Sequence, residues 1–128
     1  MPKKLLICID YDQTYSADPE LWIPFIKLAQ ERGHEVICVT MRHEREGKQL
    51  IDTIGKYCKI IYTARFAKLK FLLDVGISPD IWIDDTPFWI INDAGDAVKC
   101  PECGSTDVYD VPTFDHIKMC NNCKHQFM

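Results

Sequence analysis

Leu5-Leu6-Ile7-Cys8-Ile9-Asp10-Tyr11-Asp12-Gln13-Thr14 is a run of five apolar residues that breaks off into two aspartates and a threonine at alternate positions. So short an apolar run, rich in branched side chains, predicts a central parallel strand covered on both faces, with burial ending only at its C-terminal end. That end is where open α/β sheets bind ligands. In extended chain Asp10 and Asp12 leave the same face, and two carboxylates so placed repel unless a cation holds them. Magnesium is the usual cation, because it prefers carboxylate and carbonyl oxygen and commonly binds a substrate phosphate as well. A calcium loop is excluded: counted from Asp10, Tyr15 and Leu21 stand where that loop requires glycine and glutamate. Helix capping accounts for one of the aspartates but not for both.

Outward from this stretch, strands and helices alternate. Glu20 to Arg32 carries Leu21, Trp22, Phe25, Leu28 and Ala29 at helical spacing, with Asp18 before Pro19 as an entry signal and Gly33 as a stop. Pro24 lacks the N–H an inner turn needs, so regular helix is expected to begin only around it. Glu35 to Thr40 predicts a second strand, whose end lies beside Asp10. A helix over Glu46 to Tyr57 follows, then a strand over Lys59 to Tyr62, a helix over Ala67 to Val75 closed by Gly76, and a strand over Asp80 to Asp85. Strands separated by such helices imply parallel βαβ units.

The polar stretch Asn92 to Asp96 marks a boundary, giving an α/β domain over 1–95 and a tail over 96–128. In the tail, Cys100-Pro-Glu-Cys103 and Cys120-Asn-Asn-Cys123, sixteen residues apart, have the spacing of a four-thiolate zinc site built on two hairpin knuckles. Gly104 permits the tight backbone turn after the second cysteine, and a tail of this size needs a metal because its apolar core is too small. Tyr109, Phe114 and Phe127 are expected to form that small core, and His116 and His125 to be surface residues rather than ligands.

Composition narrows the function classes. The 128 residues are 47% hydrophobic with a formal net charge of −4, which argues against a general nucleic-acid coat protein. No stretch approaches the length of a membrane span, and Met-Pro-Lys-Lys leads straight into the first strand without a cleavable signal, so a cytoplasmic protein without a membrane role is expected. The odd count of seven cysteines, with Cys8 and Cys38 inside apolar runs, fits that compartment better than a disulfide framework.

The ordered set Asp10/Asp12, Thr40, a lysine near the start of the third helix, and Asp84-Asp85 resembles the haloacid-dehalogenase (HAD) superfamily of phosphohydrolases, over roughly residues 3 to 91. The resemblance implies a Rossmann-like three-layer parallel sheet, HAD-like, carrying the small C-terminal zinc ribbon. It also implies Asp10 as nucleophile and Asp12 as general acid/base, which requires Asp12 to hold a proton near neutral pH. Thr40 would hydrogen-bond the phosphoryl group and Lys68 would neutralise it, with Lys70 a competing choice. Magnesium would sit among Asp10, the backbone carbonyl of Asp12, and Asp84 or Asp85. Gln13 departs from the glycine common in the family at that position.

The connection after Thr14 leaves no room for a cap domain, and capless members of the family act on exposed phosphates of macromolecules, on nucleotides or on sugar phosphates. Arg42, Arg45 and Arg65, with His43 and Lys48, predict a basic mouth suited to a nucleotide or nucleic-acid terminal phosphate. The competing class is a non-catalytic protein that binds a phosphorylated ligand, with the ribbon docking a protein or nucleic-acid partner. Residues 96–128 contain Lys99, Lys118 and Lys124 against five acidic residues, so the ribbon by itself is not a phosphate clamp.

Overall fold

Leu6–Ile9 (β1) lies inside a parallel sheet completed by Glu35–Thr40 (β2), Lys59–Tyr62 (β3) and Ile81–Ile83 (β4), in the order β3-β2-β1-β4. The register pairs Cys8 with Ile37 on one side and with Trp82 on the other. This is a mixed α/β architecture whose sheet is compatible with a Rossmann-like layer. The structure is a computed structural model that describes residues 3–111 and 117–127. The chain divides into two units, Met1–Ala94 and Gly95–Met128. Among the described residues no helix is long and apolar enough to cross a membrane.

Period-two alternation along β1 and β2 sends side chains to two separate cores. Ile7, Ile9, Val36 and Cys38 pack with Ile26 and Ala29 of the helix Pro19–Glu31 (α1) and with Leu50 and Ile54. Cys8, Ile37 and Val39 pack on the opposite face with Leu72 of the helix Lys68–Asp74 (α3). Covering both faces is what makes the strands read as continuous apolar runs.

Two helix expectations need correction. Helix α1 begins at Pro19 and runs through Pro24. Pro24 is exposed, so water can satisfy the carbonyl its ring frees, while buried Ile26 and Ala29 hold the helix on the sheet. The helix expected over Glu46 to Tyr57 is instead a short helix, Lys48–Ile51 (α2), between 3-10 turns at Glu44–Glu46 and Ile54–Lys56. Thr53 breaks it with φ −121° and ψ −95°, and its hydroxyl donates to the Gln49 carbonyl at 2.6 Å. Gly47 is required where α2 starts, because a Cβ there would collide with the Tyr62 ring. A last helix, Phe88–Ile91 (α4), follows β4.

In the second unit Val108–Asp110 (β5), Lys118–Cys120 (β6) and Gln126–Phe127 (β7) form an antiparallel sheet. Its buried core is Cys100, Val108 and Cys120, with Val98 and Phe127 packed against it. Phe114 and His116 lie outside the described residues.

Candidate active site and cysteine cluster

The chain passes from β1 to β2 and β3 on one side of the sheet and returns to β4 on the other, so the strand order reverses beside the C-terminal end of β1. Such a switch point opens the crevice in which α/β proteins bind ligands. Asp10 follows β1 there, its N–H donating to the Ile83 carbonyl of β4 at 2.9 Å. Lys68 Nζ donates to Asp10 Oδ1 at 2.9 Å and to Asp84 Oδ2 at 2.6 Å. The Lys68 and Asp84 side chains are only 4% and 3% exposed, so this contact is a buried ion pair rather than a surface one. Lys70, further along the same helix, is exposed.

Thr14 ties the two sides of the crevice together. Its hydroxyl lies 3.3 Å from Asp10 Oδ2 and 3.2 Å from Asp85 Oδ1, and it accepts the Asp85 N–H at 3.1 Å. The turn that carries Thr14 back is closed by the Ser16 N–H on the Tyr11 carbonyl at 3.0 Å, and it places Gln13 at φ +64°. That is the left-handed region, in which glycine is unstrained and other residues are not.

Asp10, Asp84 and Asp85 each offer an oxygen within 4.8 Å of the others. Three carboxylates so gathered could hold a cation. Three carboxylates here face one lysine. Burial pushes the Asp10 carboxyl up to about 7, against the pull of Lys68 and with Asp84 adding to the push. Burial works against the Lys68 ammonium too, but Asp10 and Asp84 outweigh it and hold that group above its ordinary range. Asp85, despite some desolvation, is held below the usual carboxylate range by hydrogen bonds with Asp10, Thr86 and Thr14.

Asp12 does not join this cluster. Arg42 Nη2 and Nε grip its two oxygens at 2.6 and 2.9 Å, and the Asp12 side chain is 49% exposed. Its side chain is therefore on Arg42, and only its backbone carbonyl remains as the metal contact the resemblance assigns. Arg42 also donates to the Glu46 carbonyl at 3.0 Å, and the Asp12 hydrogen bond holds its guanidinium above the ordinary arginine range. Arg65 donates to the Met41 carbonyl at 2.7 Å and to Glu46 Oε2 at 3.2 Å. The expected basic mouth is thus largely internally paired at Arg42 and Arg65, while Arg45 lines a separate cleft with Lys48 and Asp52. Thr40, 1% exposed at the end of β2, accepts the Arg42 N–H at 3.2 Å.

Sequence reading missed Asp93, whose carboxylate accepts the Ala67 N–H at 2.7 Å and so fixes the start of the helix that presents Lys68. It also missed the strained connection before that helix, where Ala64 and Arg65 hold φ +52° and +76°. The Arg65 N–H on the Met41 carbonyl at 2.8 Å pins this loop to the end of β2. No local pattern signals a cap 26 residues from the helix it serves.

In the second unit Cys100, Cys103, Cys120 and Cys123 bring their sulfurs within 4.8 Å of one another, with pairs at 3.6 and 3.5 Å. Thiolates about 2.3 Å from a tetrahedral centre lie about 3.8 Å apart, so the four could hold a metal such as zinc. The two knuckles match: Gly104 N–H donates to the Cys100 carbonyl and Lys124 N–H to the Cys120 carbonyl, each at 2.9 Å. Both turns need positive φ, +76° at Gly104 and +64° at Lys124. A backbone N–H from Ser105 helps hold the Cys103 thiol down to about 6. Cys123 receives an N–H from His125, yet burial and the neighbouring thiols push it up to about 12, as expected of sulfurs that cannot all ionise without a cation. His125 stacks on Phe127.

No protein-family model matches the chain, and no curated protein or solved structure matches it either.

Proposed function

We propose that this chain is a magnesium-dependent phosphohydrolase of the HAD type, acting on a nucleotide or nucleic-acid terminal phosphate, with a structural zinc in its C-terminal ribbon. The observation that carries this reading is Lys68 bridging Asp10 and Asp84 across the switch point between β1 and β4. A buried carboxylate beside a buried ammonium, with Asp84 and Asp85 within 4.8 Å, suits attack on a phosphate.

Asp10 attacks phosphorus in line, the bond to the leaving oxygen breaks, and that oxygen takes a proton from Asp12. Water then attacks the aspartyl-phosphate, giving its proton to Asp12, and phosphate leaves as the Asp10 carboxylate is restored. Attack of one anion on another costs about 1 kcal/mol per charge pair at 4 Å in water and several times more in a partly dry crevice. Lys68 lowers that cost throughout, because its ammonium is already fixed beside the attacking oxygen and need not reorganise. Thr40 supplies a hydroxyl at the end of β2. Magnesium, held by Asp10, Asp84 or Asp85 and the Asp12 carbonyl, would offset the remaining negative charge. Asp12 must exchange Arg42 for the leaving oxygen before it can act.

That same Asp12–Arg42 pair favours a second reading, a non-catalytic binder of a phosphorylated ligand that docks a partner through its ribbon. Phosphate release measured with and without magnesium, on nucleotides, sugar phosphates and 3′- or 5′-phosphorylated oligonucleotides, separates the two. Metal-dependent release that is lost in Asp10→Asn is the expected result. Failure of the folded, zinc-loaded protein to release phosphate from all of them selects the binder.

A further inference from the structure

A cleft of about 440 Å³ opens between the turn after β1 and the broken helical segment after β2, lined by Tyr11, Tyr15 and Tyr57 together with Gln49, Asp52 and Lys56. We infer that this cleft binds a nucleoside, and that it receives the leaving group of the hydrolysed phosphate ester. The inference rests on the phosphohydrolase reading for the second of these roles only.

Polar groups left unused by the fold gather in this cleft. Tyr11 and Tyr15 are each 3% exposed, and among the described residues the one buried side-chain polar atom without a partner is the Tyr62 hydroxyl, so the hydroxyls of Tyr11 and Tyr15 reach solvent. Both line this cavity together with Tyr57. Around them Gln49 offers an amide with both donor and acceptor, Asp52 an acceptor and Lys56 a donor. A flat ligand edge with alternating donors and acceptors matches that set, and a nucleobase has one. A phenyl ring, as in phosphotyrosine, has none.

Stacking surface is present as well. Tyr57, half-buried and with Lys27 at 5.4 Å from its ring, offers it, while Tyr11 and Tyr15, centroids 5.7 Å apart, stack on each other within the core. The cleft is also linked to the reacting groups through Tyr11 and Arg42. Asp12 is the residue assigned to protonate the leaving oxygen, so the leaving group sits beyond it. Arg42 holds Asp12 and places its guanidinium carbon 5.4 Å from the centroid of the Tyr11 ring, and that ring is a wall of the cleft. An ester whose oxygen replaced Arg42 on Asp12 would carry its nucleoside over Tyr11 into the cavity.

The test uses the full, zinc-loaded chain and has two readouts. First, adenosine and cytidine, which carry no phosphate, are titrated while the backbone amide signals are followed by NMR. Shifts concentrated at Gln49, Thr53 and Tyr57, weakened about tenfold in affinity by Gln49→Ala with Tyr57→Phe, are expected, since loss of two edge hydrogen bonds carries an effect of that size. Second, kcat/KM is compared for nucleoside monophosphates, glycerol phosphate and phosphotyrosine. Nucleotides are expected to lead by at least tenfold, and the double variant to lose that lead, its folding being checked in the same spectra. Nucleosides that leave those signals in place overturn the inference, as does equal turnover of glycerol phosphate or phosphotyrosine, while the phosphohydrolase reading survives both results. Nucleoside binding in the cleft with no turnover of any ester upholds the site and overturns the phosphohydrolase.

Discussion

The two units of this chain are held together by different forces. In Met1–Ala94 a parallel sheet is covered on both faces, and side chains such as Ile9, Ile26, Leu50 and Leu72 are fully buried. In Gly95–Met128 the buried core is Val108 and two of the four clustered cysteines, so cysteine sulfurs are themselves much of the described interior. The first unit can fold on apolar burial and still tolerate buried charges at its crevice. The second has no such reserve, and a metal held by the four sulfurs would offset the entropy lost in ordering its chain.

Metal removal should therefore break the comparison most sharply. A chelator, or Cys120→Ser, is expected to unfold the second unit outright, since structural zinc contributes on the order of 10 kcal/mol or more to such modules. Amide signals of residues 95–128 should collapse while those of the α/β unit stay dispersed. Retention of native signals in the second unit after metal is stripped would show that burial suffices there.

Next in size is Lys68→Met. It leaves Asp10 and Asp84 facing each other without their cation, and breaking a buried pair in this way costs about 3–5 kcal/mol. Urea unfolding of the α/β unit should report a loss of that order, together with loss of phosphate release. Adding Asp10→Asn should return part of the stability, because one of the stranded charges is gone.

The units should also respond to pH with opposite signs. Asp10 is pushed up to about 7 in the folded state, so the folded unit holds a proton that the unfolded chain releases near its ordinary carboxylate range. The stability Asp10 contributes is full below that range and is lost as pH rises toward 7 in metal-free protein. Asp10→Asn should flatten this slope. The cysteine cluster must shed protons to bind metal, so the second unit gains stability as pH rises. Thermal melts of each unit from pH 4 to 8 would measure both slopes, and parallel slopes would mean that neither group governs its unit in this way.

The smallest expected effects sharpen a similarity between the units. Gln13 and Lys124 both hold positive φ where glycine is unstrained, at the turn after β1 and at the second knuckle. Gln13→Gly and Lys124→Gly should each stabilise their unit by up to about 1 kcal/mol. A rise of a few degrees in Tm for the first, and slower metal loss to a chelator for the second, are the measurements. Destabilisation at either site would mean that side-chain contacts outweigh the backbone strain.

Features carried by short-range pattern are legible in the chain itself. Apolar runs with period-two alternation are local consequences of burial on two faces, and they locate the strands of a parallel α/β sheet. The Cys-x-x-Cys pairs are likewise local, because each knuckle closes within one turn. The broken segment after β2 is not legible: Thr53 and the contact of Gly47 with Tyr62 override a helical periodicity. Nor is the helix through Pro24, where packing on the sheet outweighs propensity.

What the sequence by itself determined was which chemical groups stand at strand ends and which sulfurs pair along the chain, because burial periodicity and turn closure act over a few residues. Tertiary structure alone decided which of those groups meet. Lys68 rather than Lys70 reaches Asp10, Arg42 takes hold of Asp12 across 30 positions, and Asp93 caps the helix that presents Lys68. Each contact depends on the phase of a helix against the sheet or on loops that close over long separations. None is written into any short stretch of residues.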